Sequence, residues 1–346
     1  MEKPDLYICH TVYHLLIALV RAVRAGGGQA VWLSEQIPGA AALAASGRLS
    51  GPFAEACVLY ESRWPGVAAG PLGHWRNRRG YEAAGVGPAL RRSAYRRIYI
   101  SNDWSVAGRY LQDCRAGYTL CEDTVGGTLD PDQHLLEAQR AAADFAARRR
   151  GKGYLYWGDS RFCRTVESED AAKCTLFPPE KLVTFSKKAL LESLTGAEKA
   201  AVRRVFLTEP LPDDPAALAN ATLLLPRSFV LDGLMDQPTQ DAIFLAVAKK
   251  YADGPLFIKT HPRDETDYHK LFPQAVVLER TMPSEVLNFC LPGKFKRAVT
   301  VQSWVLRGFT AAEENVFVGL EEAKKLGKNE ELGMRNYPHE KVSHKL

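Results

Sequence analysis

The sequence predicts an α/β protein made of two doubly wound domains. Three observations carry this expectation. The chain opens strand, helix, strand, the unit from which parallel sheets are built. A stretch of prolines and acids, EPLPDDPAA (209 to 217), separates two long halves. Beyond it, short apolar runs alternate regularly with segments of helical period. At 346 residues with 46% apolar side chains the chain is long enough for two cores.

The opening strand is the apolar run Leu6 to Cys9, broken by His10 and Thr11. From Val12 the positions Leu15, Leu16, Leu19, Val20 and Val23 recur at helical spacing, and Gly26-Gly27-Gly28 stops the helix. QAVWL (29 to 33) is the second strand. AEACVLYES (54 to 62), RRIYISND (96 to 103) and GYTLCEDTVGG (117 to 127) each hold a further strand. The alanine-rich run 132 to 153 reads as one helix, with its cations at the C-terminal end, where they suit the dipole. Thr195 and Glu198 stand at capping-box spacing before another.

In the second half, TLLL (222 to 225), PLFIK (255 to 259), AVVL (275 to 278), RAVTV (297 to 301) and NVFVGL (315 to 320) read as strands. The helices between them are 239 to 254, one from Pro283, SWVLRGFTAAEE (303 to 314), and EEAKKL (321 to 326). The expected domains are 1 to 210 and 218 to 346. Two Rossmann-like domains of similar size form a ligand cleft between facing strand ends. Glycosyltransferases of the GT-B type are built so, as are non-hydrolysing sugar-nucleotide epimerases, and fold alone does not choose between them.

Composition sets limits on function. A formal charge of +5 lacks the concentrated basic face of a DNA binder, but leaves room for anionic partners. The seven cysteines, 9, 57, 114, 121, 163, 174 and 290, are odd in number and show no CxxC spacing. They read as buried thiols of a reducing cytoplasm rather than as a disulfide framework or zinc site. No signal peptide is apparent, and no apolar run reaches the length of a membrane span. The expectation is a cytoplasmic protein whose basic C-terminal tail can rest on anionic lipid.

Four stretches hold candidate chemistry. In FIKTHPRD, Lys259, His261 and Arg263 follow an apolar strand, with Pro262 stiffening the loop. Strand ends are where such folds place ligands, and these side chains offer charge-assisted donors to a phosphate. A histidine there can also protonate a leaving oxygen near neutral pH. The bland alternative is a solvated surface histidine. In YTLCEDTVGG, Glu122 and Asp123 follow a strand, and Gly126 lets backbone approach a ligand closely. An acidic turn closing a strand explains the same residues. In LLLPRSFVLDGLMDQ, Asp232-Gly233 is either an ordinary turn pair or a second carboxylate near His261. In AVTVQSWVLRGF, Ser303 at an expected strand-to-helix junction is either a helix cap or an anion ligand.

Taken in order, YICHTVYHLLIALV, CEDTVGG, KTHPRD and VTVQSWVLRGF resemble the motifs of bacterial sialyltransferases, most of all glycosyltransferase family 52, the lipooligosaccharide type. The resemblance implies inverting transfer of sialic acid from CMP-sialic acid to a galactose-type hydroxyl of a surface glycan. His261 would be general acid and phosphate contact. The donor would also meet Lys259, Pro262, Arg263, Gln302, Ser303, Thr11, Glu122 and Gly126. The base would be Asp232 by the family 52 pattern or Asp123 by that of related families. The sequence departs from the pattern at Thr124, where glycine is expected, and at Gln302, where a small hydroxyl residue often stands. No cofactor or metal is implied, because CMP leaves as a phosphate monoester that cationic and backbone donors can neutralise. The only DxD string, Asp130-Pro131-Asp132, suits a turn. The partners implied are a nucleotide-sugar donor and a glycan or glycolipid acceptor, with no nucleic acid; a peripheral membrane contact and a homodimer are compatible. A close variant is a transferase for another nucleotide sugar; the other classes are an epimerase of the same fold and a non-catalytic nucleotide-sugar binder.

Overall fold

Several strands of this protein are buried along their whole length, so their sheets need cover on both faces. In LYIC and QAVWLS every residue is buried, and the same holds for TLLL. Strands of that kind form parallel sheets joined by helical crossovers. The computed structural model describes residues 2–68, 72–91, 94–122, 133–207, 214–262, 264–306 and 308–335. It divides into two compact units, Met1–Val205 and Phe206–Leu346.

The first unit holds β1 (Leu6–Cys9), β2 (Gln29–Ser34), β3 (Phe53–Leu59), β4 (Ile98–Ile100), β5 (Tyr118–Cys121), β6 (Cys163–Ser168) and β7 (Leu182–Thr184). They form one sheet in the order β3-β2-β1-β4-β5-β6-β7. All pairings are parallel; Leu6 faces Ala30 on one side and Ile98 on the other. The core around this sheet contains Trp32, Tyr81, Tyr110 and Tyr118, and the rings of Tyr81 and Tyr110 stack at 3.6 Å.

The second unit holds β8 (Thr222–Leu225), β9 (Leu256–Lys259), β10 (Val276–Leu278), β11 (Phe295–Val301) and β12 (Ala312–Val318), in the order β10-β9-β8-β11-β12. These too are all parallel. Its core is built on Phe229, Phe244, Ile258, Tyr268 and Val299. β12 lies at the sheet edge, where the exposed Glu313 and Glu314 discourage pairing with another chain.

Local signals explain most element boundaries. Thr11 caps helix Val12–Arg24, its hydroxyl accepting from the His14 amide at 3.1 Å. After that helix Gly27 takes φ 83°, and a Cβ there would stand 2.5 Å from the Gly51 carbonyl oxygen, so glycine is required. The capping box forms: the Thr195 amide donates to Glu198 at 2.7 Å and the Glu198 amide to the Thr195 hydroxyl at 3.3 Å. Glu198 also pairs with Arg24 of the first helix.

Two expectations are corrected. SWVLRGFTAAEE is not a helix. Trp304–Leu306 makes one 3-10 turn, Gly308 turns left-handed at φ 76°, and β12 begins at Ala312. Its ladder with β11 runs from Phe295↔Ala312 to Val301↔Val318, and this pairing overrides the helical preference of Ala-Ala-Glu-Glu. The run 132 to 153 is not one helix either; it forms Gln133–Ala141 and Phe145–Arg149. Helices Gly73–Ala83 and Val106–Asp113 and strands β6 and β7 had no sufficient sequence signal.

Helix Val106–Asp113 is held close to the turn before it. A Cβ on Gly108 would lie 2.1 Å from the Asp103 carbonyl oxygen, a backbone atom. Gly108→Ala is therefore expected to destabilise the protein by about 1–3 kcal/mol, read as a lower urea midpoint. An unchanged midpoint would mean that the turn relaxes without cost.

Candidate functional site

All five strands of the second unit run parallel, so the loops after Leu225, Lys259, Leu278, Val301 and Val318 leave from one sheet edge. In this order β8 and β11 are neighbours although the chain visits β9 and β10 between them. That reversal is the topological switch point, where open α/β sheets bind ligands beyond the strands' carboxyl ends.

Arg227 follows β8 and Gln302 follows β11, and they meet there. The Arg227 guanidinium donates to the Asp232 carboxylate at 2.7 Å and to the Gln302 carbonyl at 2.9 Å. Both side chains of the ion pair are partly exposed, 40% for Arg227 and 36% for Asp232. Gln302 adopts φ 48°, a left-handed conformation uncommon for a residue with a side chain. Its amide donates to the Val318 carbonyl at 3.0 Å, which fixes the turn to β12. The Ser303 hydroxyl accepts from the Val305 amide at 3.3 Å, an Ser/Thr-type turn rather than a helix cap. Thr300 binds the two strands across the switch point, its hydroxyl donating to the Leu225 carbonyl at 2.7 Å.

His261 emerges one strand away. β9 pairs with β8, His261 is exposed and Pro262 half-buried. The loop is braced from within: the Asp264 amide donates to the His261 carbonyl at 3.0 Å, and the Asp264 carboxylate accepts from Tyr268 Oη and Thr266 Oγ1, both at 2.8 Å. Buried Gln240 joins this loop to the one after β8. Its carbonyl accepts from the Phe229 and Val230 amides at 2.7 and 3.1 Å, and its amide donates to Thr266 at 2.9 Å. A cavity of about 290 Å³ lies beside the loop, lined by Thr260, Asp264, Tyr268, Leu278, Glu279 and Arg280 among others.

Lys259 is not presented to solvent beside His261. It is buried, and its ammonium donates to the carbonyls of Thr260 at 2.6 Å and Arg280 at 3.1 Å. Burial pushes its pKa down to about 8, against the attraction of the Glu285 and Glu279 carboxylates. Burial pushes the Glu285 carboxyl up, although the Lys259 charge opposes that shift. Arg227 and Glu285 were missed in the sequence. The signal for Arg227 was available, a cation directly after Leu-Leu-Leu-Pro at a strand end.

The remaining candidates fall in the first unit, also at strand carboxyl ends. Thr11 is exposed after β1. Glu122, after β5, is enclosed: one carboxylate oxygen accepts from the Glu169 amide at 2.6 Å and the other is buried without a hydrogen-bond partner among the described residues. Burial raises its pKa. Lys187 donates to the Glu122 carbonyl. Asp123, Thr124, Gly126, the Asp130-Pro131-Asp132 string, Arg263 and the tail from 336 lie outside the described residues. The sequence also did not reveal Glu61, buried at this edge, which accepts from the Ala107 amide at 2.8 Å and His10 Nε2 at 3.4 Å. Burial would raise its pKa, but these bonds and one from Ser34 hold it below the usual range.

Among the described residues no three His, Cys, Asp or Glu side chains converge as a metal site needs, and no helix is long and apolar enough to cross a membrane.

No protein-family model matches the chain. It is 35% identical over 88 residues to an uncharacterized protein of Haemophilus influenzae; the match covers 23% of this chain and 28% of that protein's length. Among solved structures, an α/β-galactoside α-2,3-sialyltransferase from Photobacterium phosphoreum matches with a TM-score of 0.50 at 10% identity, over 94% of this chain and 95% of that one. The GT-B domain of a Photobacterium damselae sialyltransferase gives 0.47 at 11% identity, over 97% of both chains. A UDP-GlcNAc 2-epimerase from Neisseria meningitidis gives 0.48 at 10% identity, over 97% of this chain and 92% of that one. The fold is α/β with two Rossmann-like domains, of the GT-B type.

The environment of Lys259 has a consequence for stability. Its folded-state pKa of about 8 lies below its unfolded value, so between pH 8 and about 10.4 the unfolded chain binds more protons. Stability from this group is complete above that window and is lost as pH falls through it. The stability of the wild type relative to Lys259→Met is expected to rise with pH across the window, by at most about 1.4 kcal/mol per pH unit. Urea unfolding at several pH values measures it; a pH-independent difference would place the ammonium in water.

Proposed function

We propose that this protein is an inverting glycosyltransferase that moves sialic acid from CMP-sialic acid to a galactose-type hydroxyl of a bacterial surface glycan such as lipooligosaccharide, on the pattern of glycosyltransferase family 52. The observation that carries the reading is the convergence, on one sheet edge of the second unit, of the Arg227–Asp232 pair, His261, and the Gln302–Ser303 turn. This edge supplies a cation, a carboxylate, an imidazole and a hydroxyl, the groups needed to hold a phosphate and transfer protons around it.

In this reading CMP departs as the bond between its phosphate oxygen and the anomeric carbon breaks, and His261 gives that phosphate a proton. The acceptor oxygen bonds to the anomeric carbon from the opposite face and loses its proton to a carboxylate base. Asp232 is the base favoured here, because it stands in the same unit as His261; Asp123 is the alternative. The Arg227 contact orients the Asp232 carboxylate. Lys259 acts from below, fixing the strand end and adding positive potential, since its ammonium is spent on two carbonyls. Arg263 and Ser303 complete the phosphate contacts, and Thr11, Glu122 and Gly126 are the donor contacts expected of the first unit. Transfer needs no metal and no cofactor, and the enzyme works in the cytoplasm.

A thermal-shift panel of CMP, CDP, UMP, UDP and GDP tests the donor. Selective stabilisation by CMP is expected, about 2.7 kcal/mol at a hundredfold excess over Kd. Selective stabilisation by UDP would instead assign the site to an epimerase or a transferase for another sugar. With CMP-sialic acid and a lactoside, His261→Ala is expected to lower kcat by roughly 10²–10⁴-fold while changing stability by less than about 0.5 kcal/mol. Turnover that survives in Asp232→Ala but not in Asp123→Ala would move the base to Asp123. Activity abolished by chelation and restored by manganese would refute metal independence.

A further inference from the structure

We infer that the outer face of helix Gly73–Ala83, in the first unit, docks on an anionic lipid bilayer. The inference goes beyond the donor-site reading and does not depend on it.

The helix has two unlike faces. Gly73, Asn77 and Tyr81, four residues apart, are buried against the unit. Tyr81 stacks on Tyr110, and Asn77 donates to Tyr154 Oη at 2.6 Å. Leu72, Trp75, Arg76 and Arg79 fall on the opposite stripe and are exposed, Leu72 by 59% and Trp75 by 56%. Residues 65 to 68 lie along the helix: the Ala68 amide donates to Asn77 at 2.6 Å, and Pro65 lies against Gly80. That segment adds Val67, exposed by 53%. Three of the ten exposed large apolar side chains among the described residues thus fall within nine positions.

The charges on this face point to its occupant. Residues 62 to 81 contain four arginines and no acid. Arg78 is paired with Glu82 at 3.0 Å, whereas neither Arg76 nor Arg79 forms a salt bridge among the described residues. Arg79 lies 5.2 Å from the Trp75 ring centre, placing a guanidinium beside an exposed indole. An exposed Trp with Leu and Val beside it, flanked by arginines that form no salt bridge among the described residues, suits the boundary between headgroups and acyl chains, where indoles concentrate and cations meet anionic lipid.

The test is co-sedimentation of the full chain with vesicles of phosphatidylcholine alone or mixed with phosphatidylglycerol. Binding is expected to the mixed vesicles only, and to weaken with salt. Arg76→Glu with Arg79→Glu is expected to lower the partition coefficient by at least twenty-fivefold, about fivefold for each arginine lost. Leu72→Ser with Trp75→Ser is expected to lower it at least tenfold, with an unchanged circular dichroism spectrum and melting temperature. Lys341→Glu with Lys345→Glu, in the C-terminal tail, is expected to leave most of the binding in place. The inference is overturned if the wild type ignores anionic vesicles, if the helix variants bind like the wild type, or if only the tail variant loses binding. It is equally overturned if the face instead mediates self-association that Trp75→Ser abolishes in light scattering.

Discussion

The constraint behind this structure is the burial of strands such as Leu6–Cys9 and Thr222–Leu225 on both sides. A strand apolar on both faces needs cover above and below, and parallel pairing through helical crossovers provides it. That solution sends every strand in one direction, so each sheet has one edge made of strand carboxyl ends. Polar residues placed after the apolar runs therefore collect at that edge. Arg227, His261 and Gln302 come from three separate crossovers, and they share an edge because the core leaves the chain no other arrangement.

Burial also divides the charged residues of these edges into two kinds. Arg227 and Asp232 remain partly exposed, so their charges stay available to a ligand. Lys259 and Glu122 face inward, and burial shifts each toward its neutral form. A lysine that already satisfies two backbone carbonyls supports a loop better than it grips a phosphate. The sequence motif KTHPRD places Lys259 and His261 two residues apart, yet the end of β9 turns one into the unit and the other out of it.

Much of the fold was legible because period and punctuation agreed. Thr11 as a cap, the Gly26-Gly27-Gly28 stop and the Thr195–Glu198 box all act within a few residues, as local signals do. The helix expected at SWVLRGFTAAEE failed for the opposite reason. Its alanines and glutamates favour a helix locally, but a seven-residue ladder with β11 supplies more bonds than a short exposed helix would. Asp232, Gln302 and Ser303 could be read as candidates one by one. That Arg227 joins Asp232 to Gln302 could not, because the contact with Gln302 spans residues 75 positions apart in the chain.

Gln240 bears on how the His-Pro loop can move. One fully buried side chain accepts from the loop after β8 and donates to the loop after β9. Neither loop can withdraw without leaving a buried amide or carbonyl unpaired, at a cost of about 1–3 kcal/mol. The two loops should therefore open to solvent together, as one cooperative unit of hydrogen exchange. The amides of Phe229 and Val230 would then report on the exposure of the histidine loop some thirty residues away, giving this sheet edge a built-in spectroscopic probe.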